Sequence, residues 1–296
     1  MYTILGLGEI LWDCFEDERV LGGAPANFAY QVKQMGHTGI PLSRVGDDQL
    51  GEDVLSTLEE ARLPTEFLQR DASHPTGRVL IEVDKAGVPD FTIIEDVAWD
   101  YLESDERWIR LARKSNAICF GTLAQRSAKS RQTIREVLLA ASEGGGELLF
   151  DVNFRQDFYN REIVERSLEL CTVLKLNHEE IVRLGELLAI NGGEQKVCDR
   201  VMIAYDVNLV CVTRGPEGCT LYADQDRVDA AVPPVEVVDT VGSGDAFSAG
   251  LMVKYLDGCS LSSIAHAANL LGSFVAGRRG AMPAVPESKV VEFEKL

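Results

Sequence analysis

The sequence has little positive charge for its size. It contains 29 lysine and arginine residues against 47 aspartate and glutamate residues, so the formal net charge at pH 7 is −18 over 296 residues. Such a surface repels polynucleotides and anionic lipid, because both carry dense negative charge. We therefore expect neither nucleic acid nor membrane as a partner. A phosphate-bearing small molecule would need a local site of cations or main-chain amides.

Paired cysteines and long apolar runs are also missing. The seven cysteines form no C-x-x-C pair, which argues against a disulfide framework or a zinc site. The first residues, MYTILGLGEILWD, lack the basic segment of a secretion signal, and no apolar run approaches membrane-spanning length. These absences predict a cytoplasmic protein, and 46% hydrophobic residues predict a sizeable folded core.

Short apolar segments alternate with amphipathic segments along the chain. TILGLGEIL precedes APANFAYQVKQM, and the pattern resumes at AICFG and continues through ELLFDVN, TVLKLN and NLVCVTRG. This alternation predicts an α/β fold with a parallel sheet covered by helices. Residues 77–99 differ, because they contain two β runs around the turn-rich DKAGVPD with no helix between them. We expect a protruding hairpin there.

The segment DTVGSGDAFSAG, residues 239–250, combines two glycines with an aspartate. It joins a strand-like apolar run, Val235 to Val238, to a helical run that ends near Leu256. A glycine-rich turn before a helix leaves main-chain amides of the first helical turn free, at the positive end of the helix dipole. This context predicts an anion hole.

Asp245 lies in the first turn of that helix, just after Gly242, Ser243 and Gly244. The helix dipole favours its ionised form, so it could accept a proton from a hydroxyl group. A base beside an anion hole suits phosphoryl transfer to an alcohol, which depends on positioning and charge stabilisation. The alternative is a simple glycine turn followed by an aspartate that favours a helix start.

Two further motifs come directly after apolar runs. TRGPEG, residues 213–218, could hold phosphate oxygens with its exposed amides and the Thr213 hydroxyl, or it could be an ordinary hairpin turn. In KLNHEE, Asn177 and Glu180 have the spacing of a capping box. The functional alternative is that Glu180 acts through water on Mg²⁺, while Lys175 and Asn177 line the phosphate path.

The amino-terminal part has polar residues next to glycines. Asp13 comes just after an apolar strand, and LGGAPANFA supplies Gly22, Gly23 and Asn27. Carboxylates and amides bind sugar hydroxyls by paired hydrogen bonds, and two glycines permit close approach of the backbone. Taken one at a time, each of these residues is also typical of a turn.

Taken in order, these motifs resemble those of the ribokinase-like (PfkB) carbohydrate kinases. LGGAPANFA and RVGDDQLG resemble the glycine-rich amino-terminal pattern, and DTVGSGDAF resembles the D-T-x-G-x-G-D signature. The resemblance covers nearly the whole chain and implies a Rossmann-like three-layer α/β/α sandwich with a central, mostly parallel sheet and a small β lid. It assigns residues 14–20 and 77–99 to the lid, and residues 1–13, 21–76 and 100–296 to the kinase domain.

The resemblance also implies roles for the residues of each motif. Asp245 would take the proton from the sugar hydroxyl, and the amides of residues 242–245 would bind the γ-phosphoryl group of ATP. Mg²⁺ would be bound through Glu180, and K⁺ through Asp239 with carbonyls near Gly280. The other implied contacts are Asp13, Gly22, Gly23 and Asn27 for the sugar, and Lys175, Asn177, Thr213, Arg214, Gly215, Gly218 and Asn269 for the nucleotide.

The two residues after the paired glycines indicate which kind of sugar is the substrate. Ribokinases and kinases of phosphorylated hexoses carry lysine there, whereas this chain has Ala24 and Pro25. GEILWD, LGGAPANFA, SRVGDD and VAWD look most like fructokinases, so we expect phosphorylation of free fructose at O6, with 2-keto-3-deoxygluconate or another free sugar as the alternative. Trp99, Gln125 and Arg155 are further candidates for substrate contacts, although Trp99 also suits a core position and Arg155 an exposed salt bridge.

Other classes of protein remain open from the sequence. GLGEIL begins like the dinucleotide fingerprint of a nicotinamide dehydrogenase, but Leu11 occupies the position of the third glycine. A catalytically silent sugar- or nucleotide-binding protein is a second alternative, and the retention of Asp245 with both glycines argues against it. Exposed β edges on a lid often pair between subunits, so we expect a homodimer through the lid.

Overall fold

A computed structural model describes residues 1–83 and 89–296. Its strands are β1 Thr3–Leu7, β2 Leu11–Cys14, β3 Arg19–Gly22, β4 Thr38–Leu42, β5 Arg44–Gly46, β6 Gln69–Asp71, β7 Gly77–Val83, β8 Pro89–Ile93, β9 Ala117–Phe120, β10 Glu147–Asp151, β11 Val173–Asn177, β12 Leu209–Thr213, β13 Cys219–Ala223 and β14 Asp226–Ala230. Its α-helices are α1 Ala24–Gln34, α2 Gln49–Glu60, α3 Glu106–Ala112, α4 Ala128–Glu143, α5 Arg161–Leu168, α6 His178–Leu187, α7 Glu194–Tyr205, α8 Ser243–Leu256, α9 Leu261–Ala276 and α10 Glu287–Glu294.

The main sheet is mostly parallel. Among the described residues it contains eight strands in the order β14, β13, β12, β11, β10, β9, β1, β4. Its strand pairs are parallel except β12 with β13 and β13 with β14. The alternation of apolar and amphipathic segments therefore predicted the fold class correctly.

The inner strands of this sheet are buried on both faces, whereas the edge strand β14 is mostly exposed. In β9, Ile118 and Phe120 contribute to a core that also contains buried residues of α3 to α7, whereas Ala117 and Cys119 contribute to a second core with α1, α8, α9 and α10. Alternate side chains of a strand point to opposite faces, so the two cores lie on the two sides of the sheet. The predicted α/β/α sandwich is confirmed.

A second, smaller sheet contains the predicted hairpin. Its order is β3, β2, β7, β8, and β7 pairs with β8 antiparallel. The turn of the hairpin, in DKAGVPD, falls largely on residues 84–88, which lie outside the described residues. The first two strands of this sheet, Leu11–Cys14 and Arg19–Gly22, extend beyond the expected 14–20 on both sides and leave residues 15–18 as their connection, and the last strand ends at Ile93 rather than at residue 99. The division into lid and kinase domain stays a prediction.

One predicted strand is wrong. Residues 235–238 form no strand, and Val237 and Val238 are exposed. The amides of Val238 and Asp239 both donate to the Ala276 carbonyl at the end of α9. This apolar segment is therefore held against the end of a helix, and it pairs with no strand among the described residues. Helix α8, which comes next, ends at Leu256 as expected.

Within residues 1–83 and 89–296, no helix is both long and apolar enough to cross a membrane.

Candidate active site

The candidate site lies where the order of the main sheet reverses. The chain goes from β1 to β4 on one side and later returns to β9 on the other side of β1. Ligands of open α/β sheets bind outside the carboxyl ends of the strands at such a point. A cavity opens there, and its lining residues come from the ends of β1, β9 and β10 and from the starts of α1 and α8: Glu9, Ala24, Pro25, Phe28, Cys119, Phe120, Gly121, Asp151, Asn153, Asp245 and Ser248.

The turn before α8 provides free amides. Gly242 has a φ of 74°, and a Cβ atom there would lie 2.5 Å from Ala281 Cβ, so the position requires glycine. The amides of Gly242, Gly244 and Asp245 have no acceptor among the described residues, whereas the Ser243 amide donates to the Thr240 carbonyl at 3.2 Å. The predicted hole of four amides therefore has three free donors in this structure. The Ser243 hydroxyl donates to the Gly272 carbonyl at 2.9 Å and so ties α8 to α9.

Asp245 is partly buried beside these amides. Burial, with a smaller contribution from the nearby Asp151 carboxylate, raises the pKa of its carboxyl group to about 6 against the opposing effects of Asn27 and Lys175. Asn27 Nδ2 donates to Asp245 Oδ2 at 2.9 Å. A carboxyl group with this pKa is mostly ionised at pH 7 and is a stronger base than an exposed aspartate. The site can therefore remove a proton from a hydroxyl group held close to the anion hole.

Lys175 lies directly under the same turn. Its Nζ is 3.0 and 2.9 Å from the two carboxylate oxygens of Asp151, and both residues are buried. Burial alone would lower the pKa of Lys175, but the Asp151, Glu180 and Asp245 carboxylates raise it above its ordinary value. The ammonium group stays charged, and it adds positive potential to the anion hole.

The predicted sugar residues lie together at the base of the small sheet. A Cβ atom at Gly22 would lie 2.5 Å from Asp13 Oδ2, and one at Gly23, where φ is 111°, would lie 2.5 Å from the Glu9 carbonyl oxygen. Both glycines therefore allow the close approach that the sequence suggested. Burial raises the pKa of Asp13 to about 6. Asn27, on the first turn of α1, connects this group to Asp245.

Glu9 belongs to the site and was not predicted from the sequence. It is 5% exposed, it lines the cavity, and its carboxyl group has no hydrogen bond to another side chain in the described part of the chain. Burial raises its pKa to about 7, and the nearby Asp245 carboxylate adds to the shift. The available signal was the position of an acidic residue directly after an apolar strand of a predicted parallel sheet.

Asn177 and Glu180 form the capping box that their spacing indicated. Asn177 Oδ1 accepts from the amides of Glu179 and Glu180, and Glu180 Oε2 accepts from the Asn177 amide at 2.7 Å. Glu180 Oε1 accepts from the Phe154 amide at 2.9 Å. Burial raises the pKa of Glu180, which Lys175 opposes.

Both oxygens of Glu180 are therefore engaged by main-chain donors. Among the described residues, no group of three or more His, Cys, Asp or Glu side chains could hold a metal ion. These residues fit an Mg²⁺ ion that is held mostly by phosphate and water, with Glu180 acting through water, and they do not fit a site built only from protein ligands.

The TRGPEG turn lies beside this capping box. Thr213 is the register partner of Asn177 in the parallel pair β11 and β12. Gly215 has a φ of 53° and Gly218 one of 94°, and a Cβ atom at Gly218 would lie 2.0 Å from the Ala230 carbonyl oxygen. The turn, with a short 3₁₀ helix at Gly215–Glu217, joins β12 to β13 as expected.

Arg214 and Asn269 make contacts within the protein. The Arg214 guanidinium donates to Thr220 Oγ1 at 2.8 Å and pairs with Glu194. Asn269 Nδ2 donates to the Ala230 carbonyl at 3.2 Å and contacts Cys219 Sγ. Nucleotide contacts by Arg214, Asn269 and the turn glycines stay predictions.

Asp239 connects two loops near the start of α8. Its Oδ1 accepts from the Val241 amide at 3.0 Å, and its Oδ2 accepts from the Gly280 amide at 2.9 Å. The carboxylate thus joins the loops whose carbonyl groups were expected to bind K⁺. Both carboxylate oxygens are therefore engaged by main-chain donors, and K⁺ binding by Asp239 stays a prediction.

The three additional substrate candidates differ in position. Trp99 is fully buried, with the Arg126 guanidinium 4.0 Å from its ring centre, which corresponds to the core interpretation. Gln125 is buried and donates to the Gly121 carbonyl and to Ser167 Oγ. Arg155 is exposed, and its charge lowers the pKa values of Asp13, Glu9 and Asp245. Of the three, Arg155 is the one that the structure places beside the site's acids.

The fold and the site together define an α/β phosphotransferase with an alcohol as acceptor. The chain belongs to the pfkB family of carbohydrate kinases, which residues 5–288 match. A fructokinase of Escherichia coli is 31% identical over 310 aligned positions, which cover 98% of this chain and 98% of that protein.

Solved structures agree with this family. The chain is similar to a fructokinase with bound ATP from Xylella fastidiosa, with a TM-score of 0.87 and 21% identity over 100% of this chain and 99% of that chain. It is also similar to an uncharacterized sugar kinase from Pyrococcus horikoshii in complex with ATP, with a TM-score of 0.82 and 26% identity over 98% of this chain and 100% of that chain. The predicted family and enzyme class are confirmed.

Proposed function

We propose that this carbohydrate kinase transfers the γ-phosphoryl group of ATP to O6 of free fructose. The observation that carries the proposal is the 2.9 Å hydrogen bond between Asn27 and Asp245, which connects the predicted sugar residues to the predicted base. Asp245 takes the proton of the O6 hydroxyl as the oxygen attacks the γ-phosphorus, and ADP leaves as the bond between the γ-phosphorus and the oxygen of the β-phosphate breaks. The free amides of Gly242 and Gly244 and the Lys175 ammonium stabilise the charge on the phosphoryl oxygens.

The start of α1 supports a sugar without a phosphate. Ala24 and Pro25 occupy the first turn of this helix and line the cavity, and neither carries a charge. With Asp13 and Glu9 nearby, the sugar side of the cavity is acidic and suits hydroxyl groups better than a phosphate. The fructokinase name of the Escherichia coli relative favours fructose over other free sugars.

The nucleotide and the metal ions are part of the same proposal. We propose ATP as the nucleotide, which the 26% identical Pyrococcus horikoshii kinase binds in its solved complex. Glu180 would hold Mg²⁺ through water, and the ion would supply positive charge against the negative charge that develops on the phosphates. K⁺ would be bound beside Asp239. In this arrangement Thr213, Gly215 and Gly218 would lie along the nucleotide.

The small sheet is proposed to act as the lid. It carries Asp13 on β2, and its Phe91 carbonyl accepts from Gln156 Nε2 at 2.6 Å, which connects it to the loop after β10. Closure over the sugar would exclude water as a competing acceptor. The outer edges of β3 and β8 pair with no strand among the described residues, and such open edges support the proposed homodimer through the lid. Analytical ultracentrifugation at several concentrations tests the dimer, and a monomer at every concentration contradicts it.

The substrate is tested by measuring ADP release with Mg-ATP and K⁺ across fructose, ribose, 2-keto-3-deoxygluconate and nucleosides. We expect the highest kcat/KM for fructose, and the product should be phosphorylated at O6. A higher value for ribose or 2-keto-3-deoxygluconate would replace fructose as the substrate. No turnover with any of them would favour the silent binding protein.

A further inference from the structure

Asp151 connects three parts of the phosphoryl-transfer site. It is the last residue of β10, and its register partner in the neighbouring parallel strand β11 is Lys175. Both its carboxylate oxygens accept from Lys175 Nζ, and Oδ2 also accepts from the Ser248 hydroxyl at 2.8 Å. Ser248 lies on α8, one turn after the anion hole, and has the Gly244 carbonyl at 3.0 Å as its alternative acceptor. Asp151 thus ties the lysine to the helix that carries the base.

The ammonium group is held against the anion hole itself. A Cβ atom added to Gly244 would lie 3.4 Å from Lys175 Nζ, so the ammonium group lies next to this glycine of the turn. Lysine has three N–H donors, and Asp151 takes two of them. The third has no acceptor among the described residues and is available to an oxygen that enters the hole.

A purely structural ion pair is the competing explanation. Buried ion pairs contribute little to stability, because the desolvation of two charges offsets their attraction. Asp151 and Lys175 are 7% and 9% exposed, so the pair is deeply buried. Its position at the carboxyl edge of the sheet, beneath three unpaired amides of the described chain, is where a phosphoryl group would need a fixed cation.

We propose that Asp151 is a positioning residue that fixes Lys175 Nζ, with Ser248, at the place where the terminal phosphoryl group enters the anion hole. The inference rests on the proposed phosphoryl transfer from ATP, but not on the identity of the sugar. Asp151 acts through Lys175 and does not itself contact the nucleotide. Its removal should therefore weaken contacts to the terminal phosphate of ATP and leave those to ADP nearly unchanged.

The first measurement is calorimetric binding of Mg-ATP and Mg-ADP without any sugar. For Asp151→Asn we expect the Kd of Mg-ATP to rise by about 10-fold and that of Mg-ADP by less than about 3-fold, as for the loss of one charge-assisted contact. Asp71→Asn is the matched control. Asp71 is 3% exposed and forms an ion pair with Arg44 at 3.0 Å, and neither residue lines the cavity. It should lower stability and leave the ratio of the two Kd values unchanged.

The second measurement is a double-mutant cycle with Lys175→Gln. If Asp151 acts through Lys175, Asp151→Asn has little further effect on Mg-ATP binding in the Lys175→Gln background. If Asp151→Asn does not fold, Ser248→Ala replaces it, and a smaller selective loss of Mg-ATP affinity is expected.

Measuring turnover with fructose tests the proposed substrate separately from the role of Asp151. Wild-type protein that is inactive with fructose but shows the selective effects on Mg-ATP binding contradicts the substrate and supports the role of Asp151. The role of Asp151 is overturned if Asp151→Asn weakens the binding of Mg-ATP and Mg-ADP equally. It is also overturned if Asp151→Asn weakens Mg-ATP binding as much in the Lys175→Gln background as in the wild type. Where fructose is phosphorylated, kcat should fall by about 10²-fold in Asp151→Asn while the KM for fructose stays within about 3-fold.

Discussion

Asn27 Nδ2 donates a hydrogen bond to Asp245 Oδ2 at 2.9 Å, and this bond joins residues 218 positions apart in the sequence. It connects the first turn of α1 to the first turn of α8. Because Asn27 occupies Oδ2, the other oxygen of Asp245 is the one left to face a substrate hydroxyl. The bond therefore orients the base as well as linking the two halves of the site.

Replacement of Asp245 by asparagine tests its role as base. We expect Asp245→Asn to lower kcat by about 10²- to 10⁴-fold, because the amide cannot accept the proton. Mg-ATP binding should stay nearly intact, since the anion hole consists of main-chain amides. The measurements are steady-state kinetics and calorimetric Mg-ATP binding. Near-normal turnover in this variant would contradict the proposed mechanism.

The pH profile should report the raised pKa of Asp245. Its carboxylate is protonated as pH falls through about 6, so kcat/KM for the sugar should decrease below pH 6 rather than below pH 4. Asp13 has a pKa raised to about 6 as well and can steepen this limb. The Asp13→Asn variant separates the two groups, because its remaining limb reports Asp245. A limb near pH 4 in that variant would show that Asp245 is not buried as described.

Glu9 should reduce stability at alkaline pH. Its pKa is raised from 4.5 to about 7 in the folded protein, so folding is favoured by protonation and stability is lost as pH rises through 7. Glu9→Gln removes the loss of stability that comes from ionising a buried carboxyl group. Between pH 5 and pH 8, the free energy of unfolding of the variant relative to wild type should increase by about 2 to 3 kcal/mol.

Urea unfolding of both proteins at the two pH values measures this difference. If Glu9 also contacts the sugar, the more stable variant should show a higher KM, as in other sites where function costs stability. A stability difference that is the same at both pH values would mean that Glu9 does not carry the shift.

Gly258, which follows the end of α8, serves as a control for Gly242 in the turn before that helix. Both have positive φ, 74° and 68°, but a Cβ atom at Gly242 would contact Ala281, whereas one at Gly258 would meet nothing within 4 Å. Gly242→Ala should displace the free amides and lower kcat by about 10²-fold, as a misplacement of roughly 1 Å does. Gly258→Ala should cost about 1 to 2 kcal/mol of stability from strain and leave kcat unchanged. Similar kinetics for the two variants would argue against a fixed anion hole.

Local patterns in the sequence predicted the fold correctly and indicated candidate residues for the site. Continuous apolar strands indicate a sheet buried on both faces, and glycine-rich turns at their carboxyl ends indicate ligand contacts. Asp245 and Asn27 could be assigned on this basis, and the structure brings them into direct contact.

What could not be predicted depends on partners distant in the sequence. Asp151 and Lys175 meet because of the register between two parallel strands, and Ser248 joins them from a helix nearly 100 residues later. Residues 235–238 were predicted as a strand because a run of valines has the same pattern whether its amides bond to a strand or to the end of α9. Local sequence contains no information about which acceptor is available.

The crevice collects three acids that exchange protons close to neutral pH, since burial raises the pKa values of Glu9, Asp13 and Asp245 to about 7, 6 and 6. A substrate that enters changes their hydration and thereby their proton occupancy, so binding is coupled to uptake or release of protons from the buffer. The heat of sugar binding should therefore depend on the ionisation enthalpy of the buffer. Acidification of the medium would then tune the enzyme's apparent affinity without any separate regulatory domain.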